Sequence, residues 1–222
     1  MKAAVCVGHS RTGDSGAVSA GGQSEWLYNV PVAAKVEDLL TSAGVNVLRL
    51  DEYQGTGYSS SMSWLSDELD RFGADCALEL HFNAANKKAQ GFEYLYWHSS
   101  SRGKELAAAV HRAHSAAFGG VDRGVKPKTS ADRGSGFLSG PACPSIICEP
   151  FFGDNPSEWR EFGSESAQEA LAHVYAAGIL DFLGADSPSV DQRRSLQIIE
   201  SIRRELNELE EICRKPMPGQ EP

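Results

Sequence analysis

Ala74-Asp75-Cys76-Ala77-Leu78-Glu79-Leu80-His81-Phe82-Asn83 is the stretch on which the fold turns. Ala74–Phe82 is an almost unbroken apolar run of strand length, and it ends in a histidine, an aromatic ring and an asparagine. A continuous run, in place of strict alternation, fits a strand covered on both faces, the usual state of a parallel sheet. A histidine closing such a strand sits where a polar group is costly without a partner. One segment therefore predicts both a buried sheet and a chemical site at its rim.

Upstream, Met62, Leu65, Leu69 and Phe72 form one stripe in Ser60–Phe72, a helix closed by Gly73. Before it, Val45–Leu50 reads as a strand, Glu25–Ala43 as a helix with Trp26, Val30, Val36, Leu39 and Leu40 on its apolar positions, and Ala3–Val7 as the first strand. Downstream, Gly91–Trp97 is an aromatic-rich strand and Arg102–Phe118 a helix ended by Gly119-Gly120. Val121–Ser135 is polar and reads as a long surface loop. Phe137–Leu138 reads as a short strand, Ser145–Glu149 as a clearer one, and Ser157–Leu183 as carrying a final helix. Repeated β-then-α order predicts an α/β fold, a largely parallel sheet with helices on both faces.

Around Gly184–Asp191 the composition shifts to Gly, Asp, Ser and Pro, which reads as a linker after a 1–183 domain. Leu196, Ile199, Ile202, Leu206, Leu209 and Cys213 then recur at heptad-like steps, predicting an amphipathic helix over 192–215. With about three heptads it is marginal alone, so self-association into a homo-oligomer is the expectation. The tail 216–222 is expected to be disordered.

With 21 basic against 30 acidic residues the net charge is -9, which argues against sequence-independent nucleic-acid binding. No apolar run approaches the roughly 20 residues a bilayer needs, so membrane insertion is not expected. The run Met1–Gly8 breaks too early for a signal peptide and reads as a strand. Cys6, Cys76, Cys143, Cys148 and Cys213 form no CxxC pair and read as reduced thiols.

Parallel strands put their C-terminal ends on one edge, where open α/β sheets bind ligands. His9, His81 and Glu149 all fall at strand ends, and Glu25 opens the first helix. Two imidazoles and a carboxylate with one open position are a recurring catalytic zinc set, and a further carboxylate off the metal supplies general acid–base chemistry.

Four blocks follow in order: Val7-Gly8-His9-Ser10 with Ser15-Gly16-Ala17; Ser24-Glu25-Trp26 running to Tyr28-Asn29; Glu79-Leu80-His81-Phe82-Asn83-Ala84; and Pro144–Phe152 with Asp154-Asn155. With them the chain resembles the amidase type 3 family of zinc-dependent N-acetylmuramoyl-L-alanine amidases, in particular phage endolysin catalytic domains. The resemblance implies a mixed, mostly parallel sheet of about six strands flanked by helices. It implies His9, Glu25 and His81 as ligands of one Zn²⁺ per chain and Glu149 as general base and acid. It implies bacterial peptidoglycan as substrate, cut between N-acetylmuramic acid and L-alanine by an endolysin or autolysin. An endolysin without a signal peptide would wait in the host cytoplasm before reaching the wall. Asn83, beside His81, is a candidate for bonding a substrate amide. The other readings are a zinc peptidase on a related scaffold and a catalytically silent wall-binding or assembly protein. Ser10–Asp14 stands where the family more often has a glycine-rich run, and Phe82 where a small residue is common, which leaves substrate preference open.

His111 and His114, spaced i,i+3, lack a third ligand and read as ordinary helix histidines. Tyr94, Tyr96 and Trp97 read as core. Arg123, Lys126, Lys128 and Arg133 read as solvated loop cations.

Overall fold

The computed structural model describes residues 1–185. Six strands, β1 (Lys2–Val7), β2 (Asn46–Leu50), β3 (Cys76–Leu80), β4 (Phe92–Trp97), β5 (Asp122–Lys128) and β6 (Ser145–Glu149), form one sheet in the order β2-β1-β3-β6-β4-β5. Every neighbouring pair is parallel except β4–β6, which is antiparallel. The expected mixed, mostly parallel six-stranded α/β sheet is the observed one.

Strand periodicity sorts side chains onto the two faces. Ala3, Val5 and Val7 join Leu78, Leu80, Tyr94, Ile146 and Cys148 in one core, packed against α1 (Glu25–Ser42), α3 (Ser101–Ala117) and α6 (Glu165–Leu183). Ala4, Cys6, Ala77, Leu95 and Ile147 point the other way, onto α2 (Tyr58–Phe72) and α4 (Ser135–Ser139). The alternation also puts Glu79, Glu93 and Glu149 on this second face, on the adjacent strands β3, β4 and β6.

Helix ends follow local chemistry. Ser24 caps α1 by accepting from the Leu27 N–H at 3.3 Å. Gly73, at φ 70°, closes α2 in the left-handed conformation that glycine adopts at no steric cost.

Two expectations are corrected. The stretch Val121–Ser135 is not all loop, because Asp122–Lys128 pairs in parallel with β4 as an edge strand, with one register shift between Phe92 and Glu93. Its polar side chains and Pro127 hid it, yet an edge tolerates both. Phe137–Leu138 lies in α4, not in a strand. Two apolar residues between glycines carry no period. The final helix expected within Ser157–Leu183 is α6, preceded by the short α5 (Pro156–Phe162) and begun where Ser164 caps Ala167 at 3.2 Å.

Gly184 caps α6 at φ 64°. The remainder of the 184–191 linker, the 192–215 helix with its oligomerisation, and the 216–222 tail lie outside the described residues. Among the described residues the four cysteines are unbridged, and no helix is long and apolar enough to cross a membrane.

Candidate active site

Sheet register sets the site. Val7 pairs with Leu80 and Leu80 with Cys148, so His9, His81 and Glu149 leave three neighbouring strands at nearly the same level. Main-chain bonds carry the alignment past the strands, from Gly8 N to Leu80 O (2.9 Å) and from His81 N to Cys148 O (3.1 Å). The His9 and His81 rings meet edge to face with centroids 5.1 Å apart. His9 itself has φ 71°, an unusual conformation for a non-glycine residue and one that recurs at functional sites.

Glu25, 3% exposed at the first turn of α1, lies between the two rings. Its Oε1 is 2.7 Å from His81 Nδ1 and accepts from the Phe82 N–H at 3.1 Å. Its Oε2 is 3.4 Å from His9 Nε2 and accepts from the Ala17 N–H at 3.1 Å. One donor atom from each of His9, Glu25 and His81 lies within 4.8 Å of the others. Gly16, at φ 77°, leaves room for this, since a Cβ there would lie 2.7 Å from Glu25 Oε2 and from His9 Cδ2.

Charge is divided accordingly. Burial pushes the Glu25 carboxyl up, but the hydrogen bonds and charges of His81 and His9 outweigh it and hold the carboxyl at about 2. Burial pulls both imidazoles down, and Glu25 raises them above the ordinary range, helped at His81 by Glu79. The triad thus binds protons where a divalent cation would displace them. Two imidazole nitrogens and a carboxylate oxygen suit zinc in type and number.

The three carboxylates of the second sheet face differ in partners. Glu93 Oε2 takes Arg123 Nε at 2.7 Å and Lys126 Nζ at 2.6 Å, and its Oε1 takes Asn83 Nδ2 at 3.2 Å. Glu79 Oε1 accepts from the Tyr53 hydroxyl at 2.6 Å. Glu149 Oε2 is buried with no hydrogen-bond partner among the described residues. Burial therefore pushes Glu149 up to about 8; the His81 charge pulls against this, and Glu25 and Glu93 add to it.

A cavity of 760 Å³ is lined by His9, Glu25, His81, Asn83 and Glu149, so all five residues singled out in the sequence reach one space. The Asn83 amide already has partners, because Nδ2 donates to Glu93 and Oδ1 accepts from the Ala84 N–H at 3.2 Å. His111 and His114 lie elsewhere. His111 contacts Asp122 at 2.7 Å, while His114 is buried, bonded to the Tyr94 hydroxyl at 2.8 Å and stacked on Phe92. Sequence reading passed over Glu79 and Glu93. The signal for Glu79 was present, a charge inside an apolar strand. That for Glu93 was obscured by the polar look of its partners' strand.

No curated protein matches the chain in sequence. Solved structures share its fold. The catalytic domain of CwlV, an N-acetylmuramoyl-L-alanine amidase from Bacillus (Paenibacillus) polymyxa var. colistinus, is 23% identical, covering 84% of this chain and 100% of that one with TM-score 0.72. The CwlD amidase from Clostridioides difficile, solved with the GerS lipoprotein, is 22% identical over 83% of this chain and 99% of its own, TM-score 0.74. The catalytic domain of the CD27L endolysin targeting Clostridia difficile is 26% identical over 82% and 97%, TM-score 0.68. The sequence pattern of Amidase_3, the N-acetylmuramoyl-L-alanine amidases, matches residues 4–181, nearly the whole described chain. This chain belongs to the N-acetylmuramoyl-L-alanine amidase family of hydrolases.

Proposed function

We propose that the chain is a zinc-dependent amidase that cuts peptidoglycan between N-acetylmuramic acid and L-alanine, with His9, Glu25 and His81 holding one zinc ion and Glu149 as general base and acid. The observation that carries this is the pairing of a compact His–Glu–His set with an unpartnered buried carboxyl in one cavity. Zinc, when bound, supplies Lewis acidity, which lowers the pKa of water to about 7 and polarises a carbonyl.

The chain's own groups do the rest. Glu149 takes a proton from the attacking water and returns it to the departing alanine nitrogen. At about 8 in the free site, its pKa is already near working pH. A dication close by favours its ionised form, the form that acts as base. Glu93, neutralised by Arg123 and Lys126, is unsuited to the same exchange. Asn83 keeps one amide N–H beyond its bond to Glu93, and that hydrogen is the one offered to a substrate carbonyl. Likeness to an endolysin catalytic domain supports action in lysis, and the same chemistry serves an autolysin. An endolysin would act on the wall after release from the host cytoplasm. Assembly through 192–215 would raise avidity for a polymeric substrate.

Purified peptidoglycan tests the proposal. Turbidity should fall, new L-alanine N-termini should appear with the glycan intact, and chelator or Glu149→Ala should stop both. Cleavage between amino acids would point to a zinc peptidase, and binding without cleavage to a silent wall-binding protein.

A further inference from the structure

Glu79 has a place around the triad that the fold alone does not require. It lies inside β3 on the face that carries Glu149, and its side chain is 4% exposed. Its Oε1 accepts from the Tyr53 hydroxyl at 2.6 Å. Its Oε2 is 3.2 Å from His81 Nε2, close but out of line, so that this buried nitrogen has no aligned acceptor. Tyr53 is tied in turn to the loop bearing His9, its N–H donating to Ser10 Oγ at 3.2 Å.

Both imidazoles follow one pattern. His81 turns Nδ1 toward Glu25, leaving Nε2 for Glu79. His9 turns Nε2 toward Glu25 (3.4 Å), leaving Nδ1 for Asp14 (3.1 Å). The outer carboxylates are unequal, because the Asp14 side chain is 75% exposed and able to turn away. Glu79 is enclosed and gripped by a phenol. A metal-binding histidine is oriented by whatever receives its second N–H, and a buried, fixed acceptor does this best.

We infer that Glu79, clamped by Tyr53, is the positioning residue of the metal centre. With the ring turned into line, it accepts a hydrogen bond from the Nε2–H of His81, which selects the tautomer whose Nδ1 can ligate and sets the ring's angle. This rests on the zinc reading above.

Glu79→Gln separates positioning from mere packing. The glutamine keeps the size and, through its amide oxygen, the bond to Tyr53. It presents an NH₂ group to Nε2, which favours the wrong tautomer. In chelator competition with zinc alone, Glu79→Gln should bind 10–100-fold more weakly, the range for lost outer partners of metal ligands. The melting temperature of the zinc-free protein should hold. Tyr53→Phe, which frees the carboxylate without removing it, should weaken zinc several-fold, and it serves alone if the glutamine variant does not fold. In ¹⁵N NMR of the zinc-loaded wild type, His81 should ligate through Nδ1 and carry its proton on Nε2.

Zinc affinity within twofold of wild type in Glu79→Gln, or in Tyr53→Phe where that variant stands alone, would overturn the inference. So would ligation of His81 through Nε2. If the wild type itself takes up no zinc, the metal reading falls and Glu79's role with it. Tight wild-type binding that Glu79→Gln leaves unchanged removes the role of Glu79 only.

Discussion

Replacing Gly8 by alanine should disable the proposed metal centre without substituting any of its residues. An ideal Cβ at Gly8 would stand 2.2 Å from His81 Cε1, 2.3 Å from Nε2 and 2.6 Å from Nδ1. Non-bonded carbon atoms rest about 3.5–4.0 Å apart, so the ring or strand must retreat by roughly 1.3 Å or more. The backbone has little freedom to yield, because Gly8 N is bonded to Leu80 O at 2.9 Å and β1 lies between β2 and β3. Metal sites tolerate about 0.2 Å in ligand distances, and a misplacement of about 1 Å can cost on the order of a hundredfold in rate. Gly8→Ala should therefore lose at least about a hundredfold in amide cleavage. Overpacking costs about 1–3 kcal/mol, which lowers the melting temperature of a domain this size by about 2–4 °C for each kcal/mol. Gly57→Ala is the control, since a Cβ there meets nothing within 4 Å. Chelator competition, release of L-alanine N-termini and calorimetry read the three effects. Zinc affinity and turnover within twofold of wild type in Gly8→Ala would refute the packing argument.

Glu149→Gln should keep zinc at one per chain yet reduce wall cleavage by about 10²–10⁴-fold, the usual share of a general acid–base group; metal analysis beside product release checks it. His114 should make stability depend on pH. Burial holds its folded pKa at about 4, below an unfolded value of about 6.5, so its contribution is full above 6.5 and is lost as pH falls toward 4. At about 1.4 kcal/mol per unit this approaches roughly 3 kcal/mol, and urea unfolding at pH 7 and 4.5 should show a smaller difference for His114→Gln than for wild type. Ser164→Ala removes the cap of α6 and should cost about 1 kcal/mol, a drop of about 2–4 °C in melting temperature.

The residues of the candidate site were legible because most of them interrupt strong local patterns. His81 and Glu149 end apolar strands, and His9 follows one. Glu25 was harder to read, since a carboxylate in a first helical turn is ordinary, and its place between two imidazoles depends on the loop that folds Gly16 and Ala17 against it. Edge strand β5 was missed because its polar residues and Pro127 obey the rules for an exposed edge. The final helix expected within Ser157–Leu183 is α6, and the short α5 before it went unread, although Ser164 caps the start of α6.

Periodicity is a local property, and the order of residues alone determined five of the six strands, the covered sheet and the chemical rim where β1, β3 and β6 end. Pairing across the sheet is not local. Only the tertiary structure made β4 antiparallel to β6, which sets Glu93 beside Glu149. Only it gave Glu93 two cations and Glu79 a tyrosine while leaving Glu149 Oε2 without a partner. Three carboxylates of similar intrinsic acidity thereby acquire different surroundings. Desolvation and neighbouring charge, not residue type, decide which of them can carry a proton at neutral pH.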